Sequence, residues 1–222
     1  MNEHPIQRLL ALLAMLLAIA AGSTITQAAA PFQKDTGYNE LSARQPVGHP
    51  GKVVVTEFFW YNCPHCNALE PELDAWVRTQ PSYVVVERVP VAFTAQFIPQ
   101  QKLYYTLLAL GKVDSLQGAV FQAIHEQHIA LNTPDQMATW LAAHGIARQT
   151  FLATFNSFGV AMQARRATQM MKDYGIDGVP TMAVEGTYEV SGDLPQTPTD
   201  ERILKAVDYL VGQVHAQQAS VR

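Results

Sequence analysis

The placement of its cysteines constrains this chain more than any other feature. There are two in 222 residues, and they bracket the motif Cys63-Pro64-His65-Cys66. Upstream, the run KVVVTEFF from Lys52 to Phe59 is β-branched and aromatic, apolar enough for a strand covered on both faces. Downstream, Pro64 suits the first turn of a helix. Ala68, Leu69, Leu73, Trp76 and Val77 then recur at helical spacing to about Thr79, and Pro71 inside that repeat removes a backbone hydrogen bond and is expected to kink the helix. A strand that feeds a helix starting at Cys63 sets this sulfur at the positive end of the helix dipole, beside unpaired N–H groups. Such a place favours thiolate over thiol, as is general for cysteines at helix starts and in C-x-x-C motifs.

A bridge closing so short a loop restrains little of the unfolded chain, so the pair reads as chemistry more than as a staple. Cys63 is expected to be the reactive sulfur, Cys66 the resolving one a turn inward, and His65 to add a donor or, when protonated, a positive charge. A hypothetical pKa of ~5.5 in place of ~8.5 favours the reduced form by ~2 kcal/mol at pH ~7 and raises the potential by ~45 mV, so that the pair oxidises its partners. Two other readings stand beside this one. The pair is half of a zinc site, with His125-Glu126-Gln127-His128 as the other half, although that histidine spacing is shorter than the usual x₃₋₅; or it is an inert surface disulfide. A c-type haem needs histidine directly after the second cysteine, where Asn67 stands.

The first 30 residues carry Arg8, the apolar run Leu9–Ala21 and then small and polar residues, the pattern of a cleavable secretory signal. Cleavage is expected after Ala28, with an uncleaved anchor as the alternative because Glu3 offsets Arg8. A net charge of -4 leaves no basic excess for phosphates, so no nucleic-acid partner is expected. Ser82–Val91 reads as a second strand. From Pro99 to Tyr174 the pattern is helical, broken at Gly111, Asn132 and Gly145, with Thr133-Pro134-Asp135-Gln136 as a capping box. GVPTMAVEGTYEV returns to strands joined at Glu185-Gly186, and a helix from Thr199 to Gln217 presents Ile203, Leu204, Val207, Leu210, Val211 and Val214 on one face. The order predicts an α/β fold over 31–98 and 175–222, with a helical insertion over 99–174.

The segment EFFWYNCPHCNALEPEL, Glu57 to Leu73, resembles the active-site segment of the DsbA family of periplasmic thiol:disulfide oxidases, and Gly178-Val179-Pro180-Thr181 resembles that family's cis-proline loop. The similarity runs through most of the chain from about Val47. It implies a thioredoxin-like fold with an inserted all-helical domain and a redox-active pair, Cys63 and Cys66, separated by Pro64 and His65. It also implies a cis Val179-Pro180 bond facing the sulfurs, whose ring shields them from metals and whose Val179 backbone pairs with an extended client. Glu57 matches a buried acid beneath the site. Arg88 falls across the neighbouring strand where the family usually has Lys, and the pair mediates proton transfer to Cys66 or is an ordinary strand ion pair. Pro71 departs from the best-known pattern of the family.

The family further implies no bound cofactor and no metal. The partners it implies are exported proteins with free thiols and a quinone-linked inner-membrane re-oxidase of the DsbB type. A periplasmic monomer is expected. A disulfide isomerase or reductase, or a metallochaperone holding metal through Cys63 and Cys66, remain as alternatives. Phe59, Trp60, Phe93 and Phe97 either line an apolar groove for clients or belong to the core, and Arg165-Arg166 reads as a solvated helix face.

Overall fold

The structure, a computed structural model, describes residues 31–220, so the expected cleavage after Ala28 lies outside the described residues. Five strands, β1 (Asn39–Glu40), β2 (Val53–Phe59), β3 (Val84–Pro90), β4 (Thr181–Val184) and β5 (Tyr188–Ser191), form one sheet in the order β1-β5-β4-β2-β3. The VVVTEFF run forms β2, and every one of its residues is buried, as its unalternating composition requires. It pairs in parallel with β3 and antiparallel with β4, which puts Glu57 directly opposite Arg88 on one side and Met182 on the other.

The parallel β2–β3 pair needs a crossover, and helix α1 (Pro64–Thr79) supplies it. Leu69, Leu73 and Trp76 of α1 pack with Val53 and Val55 of β2 and with the apolar face of the last helix, α7 (Asp200–Ser220), in one core cluster. Ala68, read above as part of that repeat, is exposed: it directly precedes Leu69, and one residue of helix turns it about 100° away from the buried stripe. Pro71 lies inside α1, which continues through it.

Between β3 and β4 the chain forms the helical insertion: a 3₁₀ turn at Ala95–Phe97, then α2 (Ile98–Ala109), α3 (Val113–His125), α4 (Pro134–Ala142), α5 (Arg148–Phe155) and α6 (Phe158–Asp173). The breaks expected at Gly111, Asn132 and Gly145 separate α2 to α5, the two glycines taking φ of 63° and 81°. One break was not legible: α5 and α6 part at Ser157, whose hydroxyl caps α6 by accepting from the Val160 N–H. The Thr133–Gln136 capping box forms with both of its bonds. A second core cluster joins these helices to the top of β2 and includes both cysteines, so the cysteine motif sits at the seam between sheet and insertion. No helix among the described residues is long and apolar enough to cross a membrane.

The β4–β5 hairpin turns through Glu185 and Gly186 at φ of 52° and 60°, the primed geometry that matches strand twist. The Glu185 carboxylate accepts from the Val54 N–H at 3.1 Å and from Arg44 at 3.0 Å, which holds its unusual backbone in place. Gly186 accepts the Gln45 N–H at 2.7 Å, so close that a Cβ there meets the Gln45 carbonyl. Gly186→Ala is therefore expected to lower stability by ~2 kcal/mol or more, from backbone strain plus a clash. Gly118→Ala, mid-helix in open space on α3, should instead raise it by ~0.5–1 kcal/mol. Urea midpoints at unchanged slope check both.

Candidate active site

Cys63 is the N-cap of α1, with extended backbone angles, and its N–H is taken by the Trp60 carbonyl at 3.0 Å. Its side chain is free to face the N–H groups of the first turn. The thiol pKa falls from 9.0 to about 6, chiefly because the Cys66 thiol donates a hydrogen bond to the Cys63 sulfur. Burial opposes the shift, and the backbone N–H groups of Cys66 and His65 and the charge of His65 add to it. The helix-start reasoning from sequence expected a lowered pKa at Cys63, and the backbone N–H groups it relied on come after the Cys66 hydrogen bond among the causes. Cys66, with no exposed surface against 8% for Cys63, is driven the other way: burial, the neighbouring Cys63 sulfur and Glu57 all push its pKa far up. One sulfur is therefore an anion at neutral pH and the other stays a thiol. Pro64 and His65 between them are exposed.

Across from the pair, the Val179-Pro180 bond is cis, as the loop's resemblance implied. When protonated, the Cys63 thiol donates to the Val179 carbonyl at 3.3 Å, which places this backbone within reach of the reacting sulfur. Strand β4 begins only at Thr181, so Val179 stands outside the sheet ladder. A cleft of about 260 Å³ opens beside the loop, lined by His65, Val179, Pro180, Asp193, Asp200 and Ile203.

Beneath the motif lies a buried ionic cluster. Arg88 Nε donates to Glu57 Oε2 at 3.1 Å, while its Nη2 lies 2.6 Å from Asp74 Oδ1 and 3.1 Å from Glu70 Oε1. Burial raises the carboxyl of Glu57 from 4.5 to about 7 and that of Glu70 to about 8, in both cases against the pull of Arg88. Burial also works against the charge of Arg88, but the carboxylates outweigh it and keep it protonated. A lysine, with a single nitrogen, has no fork to reach three carboxyl groups at once. The strand partner expected for Glu57 is thus in place, and Glu70 and Asp74 join it. Neither was singled out in the sequence. The signal was there: Glu70 lies four residues after Cys66, on the buried face of α1.

Phe59, a groove candidate, is fully buried, edge-on to Tyr61 and Tyr104, and belongs to the core because it points into the insertion. Trp60, Phe93 and Phe97 form a partly exposed aromatic ridge, with the Trp60 and Phe97 centroids 4.0 Å apart. His125 Nε2 meets the Tyr61 carbonyl at 2.9 Å, a structural bond that ties α3 to the loop before α1. Arg165 and Arg166 are exposed on α6.

Comparison with known proteins agrees with this geometry. Residues 85–203 match the family model described as DSBA-like thioredoxin domain. The chain is 40% identical over 214 residues to the thiol:disulfide interchange protein DsbA of Burkholderia cepacia, covering 94% of this chain and 97% of that one. It is 37% identical to the DsbA of Pseudomonas aeruginosa, covering 90% and 94%. The crystal structure of Pseudomonas aeruginosa DsbA superposes with a TM-score of 0.79 at 36% identity, over 86% of this chain and 98% of that chain.

Two pH dependences follow from the site. The thiolate absorbance of the reduced protein should titrate with a midpoint near the Cys63 value of about 6 and vanish in Cys63→Ser; a midpoint at the ordinary thiol value contradicts the assignment. A carboxyl whose folded pKa is raised stabilises the fold fully below its unfolded value and loses that contribution as pH rises through its folded one. Stability should therefore decline between pH 4.5 and about 8, and Glu70→Gln should make that decline shallower in thermal melts.

Proposed function

The chain belongs to the DsbA family of thiol:disulfide interchange proteins, and on that premise we propose how its residues divide the work of a thiol:disulfide oxidoreductase that forms disulfides in other proteins. A client thiolate attacks the Cys63 sulfur of the Cys63–Cys66 disulfide. A client–Cys63 bond forms, and the electron pair of the broken bridge goes to Cys66, which takes a proton. A second client thiol then loses its proton and attacks the client sulfur, releasing oxidised client and leaving Cys63 as thiolate. The single observation that carries this reading is the opposite ionisation of the two sulfurs, Cys63 drawn down to about 6 and Cys66 pushed far up. Cys63 leaves well because it is content as an anion; Cys66 is content as a thiol.

The direction of electron flow follows from magnitude. A thiolate with its pKa lowered from 9.0 to about 6 stabilises the folded dithiol by ~1.4 kcal/mol at pH ~7, equivalent to ~30 mV of oxidising bias. Because the pKa is depressed, this contribution is complete only above 9.0 and fades as pH falls through about 6.

His65 supports the thiolate, and Pro64 fixes the first turn between the sulfurs. Val179 offers its backbone to an extended client segment, as in strand addition, while Pro180 closes over the pair. Glu57, aligned by Arg88, hands Cys66 its proton. The aromatic ridge of Trp60, Phe93 and Phe97 gives unfolded exported clients an apolar contact beside the reacting sulfur. Re-oxidation falls to a membrane partner of the DsbB type, and the periplasm is the compartment that the family and the N-terminal signal pattern support. The protein works as a monomer in this reading, with residues 31–98 and 175–222 as the thioredoxin-like part and 99–174 as the insertion.

Cys66→Ala should accumulate Cys63-linked client adducts on non-reducing gels: the Cys63 thiolate attacks a client disulfide, one client sulfur leaves as thiolate, and no Cys66 sulfur is present to attack Cys63 and release the client again; adduct-free lanes contradict the roles. His65→Ala should shift the glutathione equilibrium toward the disulfide, and an unchanged constant removes His65 from the mechanism.

A further inference from the structure

We propose that the outer face of α6 is a docking surface for anionic phospholipid bilayers, with Phe158 and Met162 entering the headgroup layer and Arg165 and Lys172 meeting the lipid phosphates. This face takes no part in the thiol chemistry, so it stands or falls apart from the roles given to Cys63 and Cys66.

Helix α6 divides its apolar residues between two faces. Val160, Ala164, Ala167 and Met171 recur at helical spacing and are buried in the core cluster that holds the insertion together. Phe158 and Met162 are apolar as well, yet they face water at 77% and 45% exposure. Among the described residues no large apolar side chain is more exposed than Phe158, which follows directly on the Ser157 cap. Phe158, Met162, Arg165, Gln169 and Lys172 lie three or four residues apart and are all exposed, so they form one stripe along the helix. The Arg165 guanidinium lies on that stripe beside its apolar end, with Nη2 2.9 Å from the Met162 sulfur. Leu152 and Ala153 of α5 widen the apolar ground: with Asn156 they line an open depression that ends two residues before Phe158.

Charge and size select the occupant. The stripe holds no acidic residue, and neither Arg165 nor Lys172 forms an ion pair among the described residues. Asp173, next to Lys172, is engaged by the Gln169 amide at 2.8 Å. Arg166, on the neighbouring row, shares a groove with Glu87 and adds less. On a chain of net charge -4 this is a local reversal of sign. A second copy docked through α6 would set these cations against one another. A phenylalanine offers ~150–250 Å², and with a half-covered methionine it falls well short of the ~800 Å² per partner of a stable protein interface. A bilayer needs no such area or shape match: an aromatic and a flexible apolar side chain sink to the acyl boundary while basic neighbours stay at the phosphates. Each basic residue near an anionic surface strengthens binding about fivefold, so the contact is weak and reversible. Its use follows from the function proposed above, because it concentrates the reduced protein at the bilayer that carries its re-oxidase.

The test is co-sedimentation of the purified protein with vesicles of phosphatidylcholine and phosphatidylglycerol in equal parts, against vesicles of phosphatidylcholine alone. Binding is expected to be at least about fivefold stronger on the anionic vesicles and to fall as salt is raised. Phe158→Ser should weaken it about tenfold and Arg165→Glu about fivefold or more, while Phe93→Ser, the same kind of change on the ridge beside Trp60, should leave it intact. Thermal melts and the glutathione equilibrium of the α6 variants should match the parent, since both side chains are exposed. Phe158→Trp should keep the binding and emit further to the blue on anionic vesicles than the parent does. Inorganic phosphate should release the protein no more than chloride of equal ionic strength; specific release assigns the face to a phosphate pocket and overturns the proposal. So does equal binding to the two vesicle types, binding that survives both Phe158→Ser and Arg165→Glu, or no binding at all. A lipid-free dimer in sedimentation velocity that Phe158→Ser abolishes gives the face to a second copy and overturns it too. None of these results touches the Cys66→Ala adducts, which report on the thiol roles alone.

Discussion

The hydrogen bond that the Cys66 thiol gives to the Cys63 sulfur is the interaction on which this site depends. It works in one direction only, because Cys66 can donate only while it keeps its proton, and it keeps that proton because burial makes its own anion prohibitive. The same low-dielectric surroundings that would raise the pKa of Cys63 are outweighed there by three donors: the Cys66 thiol and two backbone N–H groups at the start of α1. Asymmetry between two identical side chains thus comes from one being the cap of a helix and the other lying a turn inside it. The fold delivers that asymmetry by running β2 straight into α1, with Pro64 at the first helical position.

The charge cluster beneath the motif is a second decision of the fold, and it is an expensive one. Three carboxyl groups around one guanidinium cannot all be ionised cheaply at low exposure, and burial raises two of them into the neutral range. A well-packed apolar filling would serve stability at least as well. Keeping titratable groups beside a sulfur that must exchange a proton is easier to understand as chemistry. Register makes the arrangement possible: Glu57 and Arg88 are directly opposed across β2 and β3, while Glu70 and Asp74, four apart on α1, reach the same guanidinium from above.

Much of this was legible in the sequence, for identifiable reasons. The unalternating VVVTEFF, the proline at a helix start, the Thr133–Gln136 box and the Glu185-Gly186 turn are local signals, and each has its expected local structure. The cis Val179-Pro180 bond was accessible only through family resemblance, since nothing in the residues themselves distinguishes it from an ordinary trans bond. What stayed hidden was tertiary. Ser157 as a helix cap is indistinguishable from a mid-helix serine until α5 and α6 part company. Phe59 and Trp60 are neighbours in sequence with opposite fates, because β2 ends between them and only the first still points into the insertion. Glu70 and Asp74 read as the polar face of a helix until Arg88 is seen reaching them from the sheet.

The central claim is that the sulfur of Cys63 is more stable as an anion than as half of a bridge, and comparing the unfolding free energies of the reduced and oxidised protein tests it most directly. The reduced form should be the more stable at neutral pH, by an amount that shrinks as pH falls through about 6, where Cys63 takes up its proton. An oxidised form as stable as the reduced one, or a difference that does not move with pH, would contradict the account.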